Sequence, residues 1–489
     1  MDGPSRLRPA RKRVYWSAVM SELSQPAPLS IRTVEATCAP EQAIVIFANQ
    51  PGCLMLESVC DTNGYGRYTI AAIHPVAQWS DRRALSGLIV PTGAVRPRSG
   101  VSPPTGVPAA PGWFGFIPYE TGAALHGVTR DGVPARVGLR LYDTIALLDH
   151  QSGKWCIVAA DLSASRRSVA DRLDAVEQLL DEAAGVRVND PASRLDTPPA
   201  VLVSRGMTRE QYVRRVRRAK AYIAAGDIYQ VNLTQRFTLA CEASPVAIYQ
   251  RLRGTNPASF AAYISDGSRT VISSSPELFL RLEGDRVVTR PIKGTAARSG
   301  DPRDDDAIAA RLLSSEKDRA ELNMIIDLMR NDLGRVCRPG TVRVACAAEV
   351  ETHPTVLHLV STIAGRLRTG VSAVDLLGAT FPGGSITGCP KISALRIIGE
   401  LEPTPRDVYC GSIGYIDLFG RMQMNIAIRT MLHEEGCVHV YGGGAITADS
   451  DADSEYAECL AKTAGMFRAL QADVQGGDPQ LATIQETAA

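Results

Sequence analysis

Thr289-Arg-Pro-Ile-Lys-Gly-Thr295 places one lysine just past a β-rich run (278–288). A proline fixes the backbone ahead of it, and a glycine behind it lets backbone and ligand come close. Arginine outnumbers lysine in this chain by 46 to 7. A lysine kept at such a turn points to what arginine cannot do, which is to lose its proton and attack carbon. Read locally, Lys293 serves equally well as a surface lysine in a strand-to-loop turn, so the weight falls on what surrounds it.

Sixteen residues earlier, Ser273-Ser-Ser-Pro-Glu277 sets a carboxyl after a proline near the start of the same run. The interval leaves room for a hairpin that returns, so Glu277 as proton donor and Lys293 as attacking group could face one cavity. An exposed turn acid is the competing reading. Further back, Thr208 and Gln211 form a capping-box pattern, with Tyr212, Val216, Ala219 and Ile223 at helical spacing until Gly226. Asp227-Ile-Tyr-Gln-Val-Asn-Leu-Thr-Gln-Arg236 then alternates as a strand, which can turn Gln230 towards a site.

Two acidic helices carry the strongest signal. Ser315 caps one, and its Asp318 and Glu321 share a face ahead of Met324, Ile325 and Leu328. In the other, Glu455, Glu458 and Lys462 stand three and four apart on one face. Like charges so spaced cost about a few tenths of a kcal/mol unless something neutralises them. Oxygen ligands with few histidines fit Mg²⁺, which takes one or two carboxylates and keeps waters for a substrate to displace. Either helix alone reads as a solvated face. Together they flank Phe381-Pro-Gly-Gly-Ser-Ile-Thr-Gly-Cys-Pro-Lys391 and Tyr441-Gly-Gly-Gly-Ala-Ile-Thr447, which favours metal. Pro390 marks a helix start continued by Leu395, Ile398 and Leu401, so the loop before it suits an anion, although it lacks the spacing of a P-loop. Tyr409 and Arg429 are placed on β-like stretches between the loops, with Arg429 a candidate clamp for a carboxylate.

The rest of the 489 residues bounds the function. Apolar residues are 45% and charged residues 21%, the proportions of a globular protein, and Lys+Arg 53 against Asp+Glu 52 gives no field favouring nucleic acid or an anionic membrane. No apolar run approaches the roughly 20 residues that span a bilayer. Eleven scattered cysteines without a Cys-x-x-Cys pair fit reduced thiols in a cytoplasm. Residues 31–161 read as sheet, with Ala43-Ile-Val-Ile-Phe47 and Tyr68-Thr-Ile-Ala-Ala72 as strands, and the aromatic run at 112–120 as core or as the wall of a pocket. A helix is expected at 168–184. The expected divisions are a disordered extension at 1–28, an N-terminal region at 29–185, a linker at 186–206, a catalytic domain at 207–472 and a disordered tail at 473–489.

Taken in order, Gly226 to Arg236, Ser275-Pro-Glu277, Pro291-Ile-Lys-Gly-Thr295, Asp327-Leu-Met-Arg-Asn-Asp332, His358-Leu-Val-Ser361, Gly383-Gly-Ser-Ile-Thr-Gly-Cys-Pro-Lys391, Gly411-Ser-Ile-Gly-Tyr415 and Gly442-Gly-Gly-Ala-Ile446 resemble the chorismate-utilising enzymes. These include anthranilate, aminodeoxychorismate, isochorismate and salicylate synthases. The likeness is dense over 207–470 and extends to Leu54–Ser58, Gly66–Tyr68 and Trp113–Glu120. Where the isochorismate and salicylate enzymes carry a water-activating lysine, this chain has Gln230. Where anthranilate synthases read Pro-Ile-Ala-Gly-Thr, it has Lys293, which resembles the component I of aminodeoxychorismate synthases.

The resemblance implies an α/β (α+β) fold of stacked antiparallel sheets with helices outside, and an active site built by the C-terminal half. It implies amination of chorismate at C4, with Lys293 attacking C2 and Glu277 as general acid; the alternative is the anthranilate synthase component I reaction. Mg²⁺ would be held by Glu321 and Glu458, with Glu455 and Asp318 close by. Tyr409, Arg429, Gly444 and Lys462 match carboxylate-binding positions, and Gln230, Thr295, His358 and Thr387 would line the site. Leu56, Glu57 and Ser58 match a tryptophan pocket. A Gly-x-Cys-x-Gly nucleophile turn with a downstream His-x-Glu is missing, so ammonia is expected from a separate glutamine amidotransferase subunit or from solution.

Overall fold

Antiparallel pairing gathers both halves of the chain into two sheets. The computed structural model describes residues 28–35, 38–60, 66–79, 106–130, 137–162, 164–188 and 197–472; the expected extension, the tail and part of the linker lie outside them. The first sheet runs in the order Leu29–Val34, Lys154–Ala160, Thr144–Asp149, Tyr68–Ala72, Leu54–Glu57, Phe260–Ser265, Arg269–Ser275, Thr430–Glu434, Cys437–Ile446, Gln230–Ala240 and Gly388–Cys389. The second runs Ile292–Ala297, Val356–Arg366, Arg286–Arg290, Leu278–Glu283, Met422–Asn425, Ser412–Asp417, Gly112–Ile117, Arg140–Tyr142 and Ala77–Gln78. N-terminal and C-terminal strands are joined within each sheet, Leu56 opposite Ala262 in the first and Phe114 opposite Tyr415 in the second.

Side chains of the two sheets meet in a common core. Met55, Leu233 and Ile272 of the first belong to the same buried cluster as Trp113, Leu280 and Ile363 of the second. The run at 112–117 is therefore core, every residue of it buried and Phe114 stacked on Tyr415. Helices close the outside. Val169–Ala184 is capped by the Ser168 hydroxyl and buries Leu173, Val176, Leu180 and Ala183, an amphipathic stripe at helical spacing. Thr208 and Gln211 form the reciprocal cap of the Arg209–Ala224 helix.

Two local readings change. Ala43 to Phe47 is not a strand but the end of a helix, Pro40–Phe47. Pro40 occupies the first turn, Gln42 caps back onto the Ala39 N–H at 2.8 Å, and Pro40, Ala43, Ile44 and Phe47 bury one helical face. β-branched residues in a short apolar run were outweighed by that cap and spacing. At the end of the expected linker, Val201–Arg205 is a strand on the side of Gln230–Ala240.

Candidate active site

The strands Leu278–Glu283 and Arg286–Arg290 form a hairpin, and its open end pairs Leu278 with Arg290. Glu277 and Lys293 thus leave the same end of one hairpin. The Glu277 carboxyl is buried and accepts a hydrogen bond of 2.6 Å from the Ser385 hydroxyl. Burial pushes its pKa up to about 7 against the opposing pull of that hydroxyl and of Lys293.

Lys293 sits where the pairing of Ile292–Ala297 with Val356–Arg366 is irregular between Ile292 and Thr295. Gly294 there has φ +77°, and a side chain at this position would meet the Asp318 carboxyl and Leu312 at 3.1 Å. The glycine is thus required twice, by backbone and by space. The Lys293 side chain is 11% exposed and its Nζ lies 3.8 Å from Glu321 Oε2. Burial lowers the amine's pKa, while Glu321 partly restores it. A buried amine with weakened affinity for its proton is the form a nucleophile needs.

Across the strands, Thr295 pairs with His358, and their Oγ1 and Nδ1 are 2.8 Å apart. Burial, then Arg429 and His353, holds His358 well below its ordinary pKa, so the ring is neutral. Arg429 Nη2 approaches His358 Nε2 to 3.4 Å, and Nη1 donates to Asn256 Oδ1 at 3.3 Å. Burial lowers the guanidinium's pKa to about 10, which leaves it cationic at neutral pH. Neither Arg429 nor Tyr409 lies on a strand. Arg429 occupies a bend with φ +50°, and Tyr409 a turn that stacks its ring on Tyr441 at 5.0 Å.

Gly444 opposes Leu233 in the first sheet; a Cβ there would stand 3.0 Å from Glu455 Oε2 and 3.5 Å from Glu458 Oε1. The missing side chain keeps the space beside both carboxylates open. Glu455 Oε1 accepts from the Ser450 hydroxyl at 2.6 Å, while its Oε2 is buried without a hydrogen-bond partner. Burial raises the Glu455 pKa. Burial pushes Glu458 up as well, but the Lys462 ammonium at 2.6 Å outweighs it and leaves the pKa low. Among the described residues no three such side chains already converge on a metal position. The donor set of partly unsatisfied carboxylates on two helices fits a hydrated, oxygen-loving ion held by one or two of them, and not an all-protein cage.

Gln230 is fully buried, and neither its Oε1 nor its Nε2 has a hydrogen-bond partner. Next to it, the Thr387 carbonyl accepts from Asn232 N at 2.8 Å, and the Thr387 hydroxyl is bonded to Gly383 O at 3.0 Å. Lys391, in the same loop motif, is committed to Asp332 at 2.6 Å. Leu56, Glu57 and Ser58 stand apart on the Leu54–Glu57 strand and the turn after it. The Glu57 carboxylate is held by Arg253 at 2.6 to 3.0 Å and by the Tyr249 hydroxyl at 2.6 Å, and Ser58 donates to Ser259 O at 3.0 Å. Sequence reasoning missed Ser385, Asn256 and Arg406. Ser385 lay in plain view inside the glycine-rich motif and Arg406 four residues after its partner Glu402, whereas the contacts of Asn256 with Arg429 and of Arg406 with Asn232 cross more than 150 residues.

A buried acid, a mostly buried amine and carboxylates on two helices make an arrangement suited to acid–base and nucleophilic chemistry. The chain belongs to the chorismate binding enzyme family, whose profile matches residues 61–468. It is 46% identical over 265 residues to aminodeoxychorismate synthase component 1 of Salmonella typhimurium, covering 54% of this chain and 58% of that protein. It is 35% identical to the protein of the same name from Klebsiella aerogenes over 91% of this chain and 100% of the relative. It is also 36% identical to anthranilate synthase component 1 of Streptomyces coelicolor, over 89% of this chain and 85% of the relative. The crystal structure of anthranilate synthase component I from Streptococcus pneumoniae superposes with a TM-score of 0.72 at 30% identity, covering 89% of this chain and 99% of that one. No helix among the described residues is long and apolar enough to cross a membrane.

Proposed function

We propose that the chain aminates chorismate at C4 to give 4-amino-4-deoxychorismate, using ammonia from a separate glutamine amidotransferase subunit. The observation that carries this reading is the position of Lys293, a mostly buried amine that leaves the same hairpin end as the buried acid Glu277. Names of relatives on both sides of the C2/C4 division occur, and the lysine is the feature that favours C4.

Lys293 Nζ, unprotonated, forms a bond to C2 of the ring; the double bonds shift and the C4–O bond breaks. Glu277 gives its proton to the departing hydroxyl, which leaves as water. Ammonia then bonds to C4, the double bonds shift back, and the C2–N bond to Lys293 breaks. Arg429, fixed by Asn256, and Lys462 supply positive charge for the substrate carboxylates. Gln230, with both amide atoms unsatisfied, offers hydrogen bonds to a polar group but no base strong enough to activate water. Mg²⁺, held by Glu321 and Glu458 with Glu455 and Asp318 nearby, would neutralise the ring carboxylate and the charge that develops beside it.

The test is a product assay with purified chain, chorismate, Mg²⁺ and ammonium at mildly alkaline pH, read by mass spectrometry with pyruvate followed in parallel. Amino-deoxychorismate without pyruvate is expected. Anthranilate with stoichiometric pyruvate would replace this reading with amination at C2.

A further inference from the structure

The Glu277 carboxyl is buried among charged and titratable groups from several elements. Lys293 stands on its own hairpin side, Lys462 on the C-terminal helix, and Cys410 in the turn after Tyr409. Among the described residues the side-chain hydroxyl bonded to it is that of Ser385, at 2.6 Å in a buried contact, and a backbone hydrogen bond from Ile292 also draws its pKa down. A hydroxyl in that position donates to an ionised carboxylate more strongly than to a neutral acid, because the bond is charge-assisted.

Ser385 is not free to drift. Its carbonyl accepts from Asn232 Nδ2 at 2.6 Å, and the next carbonyl, Ile386 O, accepts from Arg406 Nη1 at 2.9 Å. Arg406 is itself locked to Glu402 and to Asn232 O. The backbone of the loop that carries the hydroxyl is thus held at two successive carbonyls by groups other than Glu277.

We propose that Ser385 is a positioning residue that sets the pH at which Glu277 gives up its proton, through the hydrogen bond its hydroxyl donates to that carboxyl. Burial alone would make the acid a weaker proton donor, and the hydroxyl, by favouring the ionised carboxylate, draws the transition back towards neutrality. The inference rests on the general-acid reading of Glu277 for its catalytic meaning, but not for its physical test.

That test is a pH titration of the full chain by infrared difference spectroscopy, following the protonated carboxyl band that disappears in Glu277→Gln. In Ser385→Ala the midpoint moves upward by about one pH unit or more, the size of a lost charge-assisted hydrogen bond. Ser385→Cys, which keeps the volume but donates weakly, moves it in the same direction. Ser385→Thr restores the hydroxyl and leaves it near the wild-type value. An unmoved midpoint in the Ala and Cys variants overturns the proposal whatever the rate does. A moved midpoint with an unmoved alkaline limb of kcat upholds it and removes Glu277 as general acid instead, so the two failures are told apart.

Discussion

Lys293 Nζ stands 3.8 Å from Glu321 Oε2, 28 residues away, which joins the proposed attacking amine to one of the acidic helices. The contact is long for an ion pair, and burial outweighs it in the balance that lowers the amine's pKa. Glu321 therefore orients Lys293 without fully fixing its proton.

Removing the amine should remove the C4 reaction. Lys293→Ala is expected to lose amination by about a thousandfold or more, the scale of a missing nucleophile. Lys293→Arg should not rescue it, because a guanidinium keeps its proton. Intact-protein mass spectrometry of quenched wild-type reactions should show an adduct that neither variant forms. Retention of full rate in Lys293→Ala would rule out the covalent step.

Glu277 gives a pH prediction whose sign follows from its pKa of about 7, above that of an ordinary carboxyl. A group raised on folding contributes stability that is fully present below its unfolded pKa and is lost as pH rises through the folded value. Glu277→Gln should accordingly be more stable than wild type at pH 8, by on the order of 3 kcal/mol, with the gain shrinking to nothing towards pH 4.5. Its amination rate should fall by about two to four orders of magnitude. Urea unfolding at the two pH values measures the first effect. A stability gain independent of pH would mean that the carboxyl is not strained by burial.

The metal assignment can be checked without turnover. Calorimetric titration of the wild-type chain with Mg²⁺ should show binding that Glu321→Gln and Glu458→Gln each weaken by about tenfold or more. Chelation by EDTA should lower both Tm and amination, and Mg²⁺ should restore them. Equal affinity in wild type and Glu458→Gln would exclude Glu458 as a ligand, leaving its carboxylate to Lys462 alone.

Much of this site was legible because its chemistry sits in short, contiguous runs. Residues 277 and 293 flank one hairpin, so their leaving the same end of it follows from strand length and turn alone. Glu321, Glu455 and Glu458 show their shared faces through helical spacing. What stayed hidden depends on distant partners. Ala43–Phe47 looked like a strand because its composition is β-branched, and only its cap and its burial against the core make it a helix. Arg429 and Tyr409 were placed on strands, yet both lie in turns held by Asn256 and Tyr441, contacts that no local pattern announces.

The clamp behind the glycine-rich loop gives a last prediction. Arg406 is 1% exposed, bonded to Glu402 at 2.6 and 2.8 Å and to the carbonyls of Ile386 and Asn232, with its guanidinium 4.4 Å above the Tyr119 ring. Arg406→Ala leaves the Glu402 charge buried with only Thr234 as donor, so it should cost about 3 to 5 kcal/mol in urea unfolding. Replacing both partners, Arg406→Met with Glu402→Leu, removes the stranded charge and should recover part of that loss. It cannot recover all of it, because Thr234 N then has no acceptor and the 385–387 loop loses its anchor. The double variant should therefore fold better than Arg406→Ala yet still aminate slowly. If it regained both stability and rate, the buried pair would be a packing feature and the loop would need no clamp.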